Sequence, residues 1–436
     1  MATRFDPSGP LHGSLRSPPD KSVSHRAALI AAMGEGDTTI EGYLDAADTR
    51  STLAAVEALG AQVSGVGPAA IEPRLRVRGV GLRGAAAAAL DVGNAGTLLR
   101  LLPGWLAGQE TGSWTLDGDD SIRRRPVDRI ASPLRSMGAR IEAREGLPPL
   151  RIDGAPLAGI EYELPVASAQ VKSCLLFAGL LAEGETRIIE PLPSRDHSER
   201  MLAAAGAEIE RGDGLVSVRP AALLEPGAIV VPADFSSAAF FVVAALLVPG
   251  SEVNLVGVGL NPTRTGLLSI LARMGARIEV EPEGERGGEP SGRLRVRASE
   301  LQGAEVGGGE IPLAIDELPL VALAACFAEG ETTIRDAAEL RRKESDRIET
   351  VAAALTALGA EVETSEDGMR IVGAGGLRGG SIDSHGDHRI AMLGAIAGVA
   401  SRDGVEVAGM DAAAVSYPGF EADLASLAGP GRLLGA

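Results

Sequence analysis

Lysine is rare in this chain, and its few occurrences sit among other groups capable of chemistry. Lys21, Lys172 and Lys343 stand against 38 arginines. An ammonium is a compact, strongly hydrated charge, whereas a guanidinium is a planar fork. Three retained lysines therefore point to their surroundings, unless they are chance survivors of a compositional bias. Lys21 opens Lys21-Ser22-Val23-Ser24-His25-Arg26 behind Pro18-Pro19-Asp20. Lys172 lies in Ser168-Ala169-Gln170-Val171-Lys172-Ser173, which begins a helix with Ser168 as its cap. Lys343 lies in Arg341-Arg342-Lys343-Glu344-Ser345-Asp346-Arg347, where the spacing predicts Lys343 and Arg347 on one helical face. Glu344 beside them is placed to exchange a proton with Lys343. Each segment also reads as a capped helix with solvated charges. All three lysines falling in such segments favours a basic cleft.

Other segments add the same kind of group. Gly93-Asn94-Ala95-Gly96-Thr97 lets backbone amides approach a ligand ahead of a helix predicted over Leu98–Leu106. Arg123-Arg124-Arg125 packs three guanidiniums into one loop. Ser194-Arg195-Asp196-His197-Ser198-Glu199-Arg200 opens another helix, about 26 residues after Ser168. Asp316, ahead of an apolar run, is a candidate acid or base, with an N-cap as its alternative role. His385-Gly386-Asp387-His388-Arg389 opens a further apolar helix. A metal on His385, Asp387 and His388 lacks a supporting Cys/His cluster, so no metal is expected. Lys and Arg focused in a cleft suit a small substrate carrying several negative charges. Walker and Rossmann loops are absent from the sequence, so neither ATP nor NAD is indicated.

A repeated phrase shows what positions these groups. A helix ending in Gly-Ala followed by alternating residues recurs at Gly60, Gly138, Gly206, Gly275 and Gly359, separated by 78, 68, 69 and 84 residues. A second phrase, a Gly-led β-rich run, interleaves with it at Gly36, Gly184 and Gly330, with weaker copies at Gly112, Gly250 and Gly404. Six units of about 70 residues follow, each with two helices and three or four short strands, grouped as two globular halves of three. Pro226, Pro232 and Pro249 mark a crossing between the halves.

Composition narrows the class. The 436 residues carry a net charge of −18, and Trp, Tyr and Phe make up 3%, which disfavours a general nucleic-acid binder. The longest apolar run, Ala238–Val248, is too short to span a bilayer, and Met1–Gly13 has no apolar signal core, so a cytoplasmic protein is expected. Cys174 and Cys326 lie in apolar stretches and read as small core residues.

Taken jointly, these motifs resemble the 5-enolpyruvylshikimate-3-phosphate synthase family (3-phosphoshikimate 1-carboxyvinyltransferases), from about Gly13 to Tyr417. Ser168-Ala169-Gln170, Arg195-Asp196-His197-Ser198-Glu199 and Asn261-Pro262-Thr263-Arg264 are similar to its class II bacterial branch. The resemblance implies a two-domain inside-out α/β barrel of six βαβαββ repeats, three per domain. It places residues 21–235 in one domain and residues 1–20 with 236–436 in the other, with the active-site cleft between them. It further implies that Lys21, Ser22, Arg26, Ser168, Gln170, Arg195, Asp316 and Lys343 bind shikimate 3-phosphate. Lys21, Gly96, Arg125, Gln170, Arg347 and Arg389 would hold phosphoenolpyruvate. Asp316 would take the proton of the 5-hydroxyl, with Glu344, Lys343 and Lys21 also catalytic. No cofactor, nucleic acid or membrane is implied, and the chain is expected to work as a monomer. Gly96, retained where tolerant enzymes carry a larger residue, implies inhibition by glyphosate. Val415 stands where other members carry Lys. The related UDP-N-acetylglucosamine enolpyruvyl transferases carry a catalytic Cys in the loop matching Asp117–Arg125, and none occurs here. An anion-binding scaffold on the same fold is the non-enzyme alternative; it would need neither Asp316 nor Glu344.

Overall fold

A computed structural model describes residues 2–65, 74–212 and 214–429. The chain divides into two compact units. Unit 1 comprises Met1–Pro18, Ala233–Gly284 and Ser291–Ala436; unit 2 comprises Pro19–Pro232 and Glu285–Pro290.

Unit 2 contains three four-stranded sheets, and each joins one parallel strand pair to an antiparallel hairpin. Its helices are α1 (Lys21–Met33), α2 (Ala47–Ala58), α3 (Gly96–Ala107), α4 (Asp128–Ser136), α5 (Ala169–Gly179) and α6 (His197–Ala204). Beyond their first two turns, helices α1, α3 and α5 are apolar on nearly every side, and all three are buried almost entirely. A helical stretch with no polar face must lie inside the unit. Helices α2, α4 and α6 bury only a stripe. The N-terminal halves of α3 and α5 touch, with Arg100 Nη1 donating to Gln170 Oε1 at 2.7 Å. Those of α1 and α5 also meet, through Arg26 and Ser173 at 3.0 Å. The three buried helices therefore run side by side with their N-termini at one end.

Unit 1 follows the same plan with helices α7 (Phe235–Leu247), α8 (Gly266–Arg273), α9 (Ile311–Ala314), α10 (Leu318–Phe327), α11 (Arg347–Ala357), α12 (His388–Ala400) and α13 (Phe420–Ala428). Here α7, α10 and α12 form the apolar interior. Two of its sheets have four strands, and the third has three. The sixth repeat is thus one strand short among the described residues. Apolar helices inside and sheets around them make each unit an inside-out α/β fold.

The Gly-Ala phrases end helices as expected. Gly60, Gly138, Gly206, Gly275 and Gly359 all have φ between 92° and 105°. Each follows the C-cap of α2, α4, α6, α8 or α11 and precedes a strand. Side chains rarely adopt that left-handed backbone, so glycine closes each helix. Helix α3 starts at Gly96, earlier than the Leu98 expected from the sequence. Helix α1 begins at Lys21 because Asp20 Oδ1 accepts the Val23 amide at 2.8 Å. Both cysteines are buried, and burial pushes the Cys326 thiol up to about 12. No helix of the described residues is long and apolar enough to cross a membrane.

Candidate active site

Six buried helices carry most of the residues singled out above, at or beside their N-termini. A helix N-terminus presents unpaired amides and the positive end of the helix dipole.

In unit 2, Lys21 lies at the start of α1, its Nζ 3.2 Å from Asp48 of α2. Gln170 sits in the first turn of α5, tied to Arg100 and more loosely to Thr97 at 3.5 Å. Ser168 caps α5 through the Val171 amide at 3.5 Å. Arg125 donates to Asn94 Oδ1 at 2.9 Å and to Ser121 Oγ at 3.3 Å. A Cβ built on Gly96 would collide with Arg125 Nη1, so glycine is what lets this guanidinium lie over the mouth of α3. Burial lowers the Arg100 pKa to about 10, with Arg129 and Arg125 adding repulsion. Arg100 still carries its proton at neutral pH.

Not every expected ligand group is open. Arg26 is 3% exposed. Its Nε donates to Ser198 Oγ at 2.9 Å, Nη2 to Ser173 Oγ at 3.0 Å and Nη1 to the Ser22 carbonyl at 3.0 Å. Arg26 thus braces α1 against α5 and α6. Lys172 departs from the cleft reading: its Nζ is buried between Glu190 at 2.8 Å and Glu199 at 2.7 Å. A buried ammonium needs such partners. Of the arginine triple, Arg123 pairs with Asp117 at 2.8 Å.

In unit 1, Asp316 precedes α10, and four cations converge on its carboxylate. Lys343 Nζ is 3.3 Å and Arg347 Nη1 3.6 Å from Oδ1; Arg264 Nη1 is 3.8 Å and Arg389 Nη2 3.9 Å from Oδ2. Arg389 Nη1 also donates to the Asp316 carbonyl at 3.0 Å. Lys343 and Arg347 do not share a helical face, because α11 begins at Arg347 under the Asp346 cap and Lys343 is extended. They converge on Asp316 because the chain turns between them. Arg347 is 1% exposed and grips Asp387, with Nε 2.8 Å from Oδ2; its Nη2 lies 2.6 Å from Glu344. Burial opposes the charge on Asp387, yet the Arg347 hydrogen bonds outweigh it and its pKa is lowered. The same balance lowers Glu344, so it rests as a carboxylate. Asp387 is committed to Arg347, Ser345 and the α12 cap. Among the described residues no group of three metal-ligating side chains could hold an ion. Val415 is 59% exposed. Tyr417, two residues on, is buried against Phe241 and Phe420.

Sequence reasoning missed Arg100, Asp48, Ser236 and Glu317, and it quoted Arg264 without giving it a role. Glu317 is fully buried and hydrogen-bonded by Ser236, which also receives Arg264 Nη2 at 2.6 Å. The available signals were the acidic neighbour of Asp316 and the arginine closing Asn261-Pro262-Thr263-Arg264.

Two histidines make stability depend on pH. Burial lowers His25 from 6.5 to about 3, with Lys21 and Arg26 adding repulsion. Burial also lowers His388, to about 4. The unfolded chain therefore binds protons below pH 6.5 that the folded chain refuses. Stability is expected to fall from pH 6.5 toward 4.5, by up to ~1.4 kcal/mol per pH unit for each histidine. Urea titrations across that window should show the slope, reduced in His25→Gln. An unchanged slope in that variant excludes His25.

The model of the EPSP synthase family (3-phosphoshikimate 1-carboxyvinyltransferase) matches residues 5–424. The chain belongs to the EPSP synthase family. It is 51% identical to the 3-phosphoshikimate 1-carboxyvinyltransferase of Gloeobacter violaceus, covering 98% of both chains. It is 50% identical to that of Synechococcus sp. (strain RCC307), covering 96% of this chain and 97% of the relative. The solved EPSP synthase of Acinetobacter baumannii superposes with a TM-score of 0.90 at 42% identity, over 98% of each chain. An enolpyruvyl transferase of Streptomyces tendae, at 18% identity and a TM-score of 0.78, shares the fold. Asp316, Lys343, Glu344, Arg347 and Arg389 lie in unit 1, and Lys21, Gly96, Arg125, Ser168 and Gln170 lie in unit 2.

Proposed function

We propose that this chain transfers the enolpyruvyl group of phosphoenolpyruvate to the 5-hydroxyl of shikimate 3-phosphate and releases phosphate. Relatives named for that activity match nearly its whole length. The observation that carries the reading is the Asp316 carboxylate beneath four cations. Two anions must be joined, so their charge has to be offset before they can align.

Asp316 takes the proton of the 5-hydroxyl as that oxygen attacks C2 of phosphoenolpyruvate. Lys343, adjacent to Asp316, supplies the proton that C3 gains, which gives the tetrahedral intermediate. Glu344, resting as a carboxylate, removes a proton from the resulting methyl group as phosphate leaves, which restores the double bond. Lys21, Gly96, Arg125, Arg347 and Arg389 hold phosphoenolpyruvate, with Gln170 touching both substrates. Lys21, Ser22, Ser168 and Arg195 hold shikimate 3-phosphate, and Arg26 supplies positive charge from behind. The chain acts as a cytoplasmic monomer, without metal or cofactor. Phosphate release that requires both substrates, with the enol ether product observed by NMR, tests the reading; release from phosphoenolpyruvate alone contradicts it.

Gly96→Ala gives a narrower check. The added methyl displaces Arg125. The KM for phosphoenolpyruvate is expected to rise about tenfold, the scale of one charged contact, with the KM for shikimate 3-phosphate little changed. Equal rises in both would remove Gly96 and Arg125 from the phosphoenolpyruvate set.

A further inference from the structure

The hairpin of Arg277–Arg286 and Glu289–Arg297 turns through Gly287 and Gly288, both at positive φ. Two consecutive glycines of this kind suit a two-residue hairpin turn. The first strand is exposed along nearly its whole length, yet Glu289 at the tip is only 2% exposed. The tip is packed tightly within unit 2. A Cβ on Gly288 would lie 2.5 Å from the Arg200 carbonyl oxygen of α6, and one on Gly287 would lie 3.1 Å from Ile229 Cα. Glu285 reaches Arg200 at 3.7 Å. Glu289 Oε1 meets His197 Nδ1 at 2.8 Å, and His197 is also 2% exposed.

His197 is the first residue of α6 and stands two residues after Arg195. Its neighbour Ser198 accepts from Arg26 Nε at 2.9 Å and donates to Ser173 Oγ at 2.7 Å. The next residue, Glu199, holds the buried Lys172. The mouth of α6 is therefore fixed toward α1 and α5 by these bonds. Glu289, 92 residues away in sequence, fixes it from the hairpin. Charge on Glu289 is also felt at Arg26. A carboxylate buried at the hairpin tip costs desolvation that a solvated residue would avoid, so its place reflects the group it meets.

We propose that Glu289 is a positioning residue for shikimate 3-phosphate: it locks the His197 ring and so fixes Arg195 at the mouth of α6. The role rests on the assignment of Arg195 to that substrate made above. It extends the binding apparatus to a hairpin whose sequence carries no motif for it. Glu289 touches no reacting atom, so its loss acts on affinity rather than on the chemical step.

The test uses the full-length enzyme. In Glu289→Ala, the Kd for shikimate 3-phosphate by calorimetry and its KM are expected to rise about tenfold. The kcat, and the KM for phosphoenolpyruvate at saturating shikimate 3-phosphate, are expected to stay within twofold. Glu289→Gln keeps an oxygen that can accept from His197 Nδ1 and is expected to restore affinity to within twofold of wild type. Unchanged affinity in Glu289→Ala, equal rises for both substrates, or Glu289→Gln as impaired as Glu289→Ala each overturn the proposal. Should Glu289→Ala fail to fold, Gly288→Ala keeps the carboxylate but pushes the tip off Arg200; it is expected to weaken shikimate 3-phosphate selectively, and wild-type affinity there overturns the proposal. Arg195→Ala separates the two levels. If it leaves the Kd unchanged, the assignment of Arg195 fails. If it weakens binding while Glu289→Ala does not, the positioning role alone fails.

Discussion

Asp316→Ala is expected to lower kcat by about 10³-fold, within the range for removal of a general base, while shikimate 3-phosphate still binds. Lys343, Arg347, Arg264 and Arg389 all lie within 3.9 Å of the Asp316 carboxylate. Removing that carboxylate takes away the one counter-charge that all four share, although Arg347 keeps Asp387 and Glu344. An anion should then bind as well as before or more tightly, because the field it meets is more positive. The free enzyme should lose stability through repulsion among the four, and added inorganic phosphate should return part of it. Asp316→Asn separates shape from proton transfer, since the amide keeps the volume but cannot serve as the base. It should match the alanine variant in kcat and exceed it in thermal stability. Single-turnover kinetics with calorimetry of shikimate 3-phosphate binding provide the measurement. Wild-type turnover in either variant, or loss of binding in step with turnover, removes Asp316 from the role of base.

Groups fixed by local rules were legible. The five Gly-Ala phrases close helices because a left-handed residue must be glycine, and Ser168 caps α5 because its oxygen reaches an amide three residues on. Asp316, Lys343 and Arg389 stand out in the sequence because charged residues beside apolar helices have few purely structural roles, and the fold brings the three together. What failed was the inference from spacing to direction. Lys343 and Arg347 are four apart, yet the helix starts only at Arg347, so their convergence comes from a turn. Lys172 sits one turn into a helix whose mouth was expected to face ligand, but that position points into the core, where Glu190 and Glu199 neutralise it. Glu317, Arg264 and Glu289 depend on partners 53 to 92 residues away. No local pattern encodes such a pairing; it emerges when the repeats stack and their helix mouths meet.

The second large effect concerns Arg347, where stability and activity can be separated. Arg347 and Asp387 are buried to 1% and 0% exposure and hydrogen-bonded at 2.8 Å. Arg347→Met strands a buried carboxylate, which costs about 3–5 kcal/mol, and removes a proposed phosphoenolpyruvate contact, so turnover should vanish. The deficit should shrink toward low pH, because the stranded carboxylate can take up a proton and shed its charge. In the wild type the sign is opposite: the lowered pKa of Asp387 contributes stability above its ordinary value of 3.8, lost as pH falls through the folded value. Adding Asp387→Asn to Arg347→Met should recover most of the stability, since the amide oxygen can still accept the Arg389 amide that Asp387 Oδ1 accepts at 2.9 Å. It should recover none of the turnover, because the guanidinium is still missing. Urea denaturation and phosphate-release assays on the two single variants and the double variant complete the cycle. Recovery of both properties would make Arg347 purely structural, and recovery of neither would show that the cost does not come from the stranded charge.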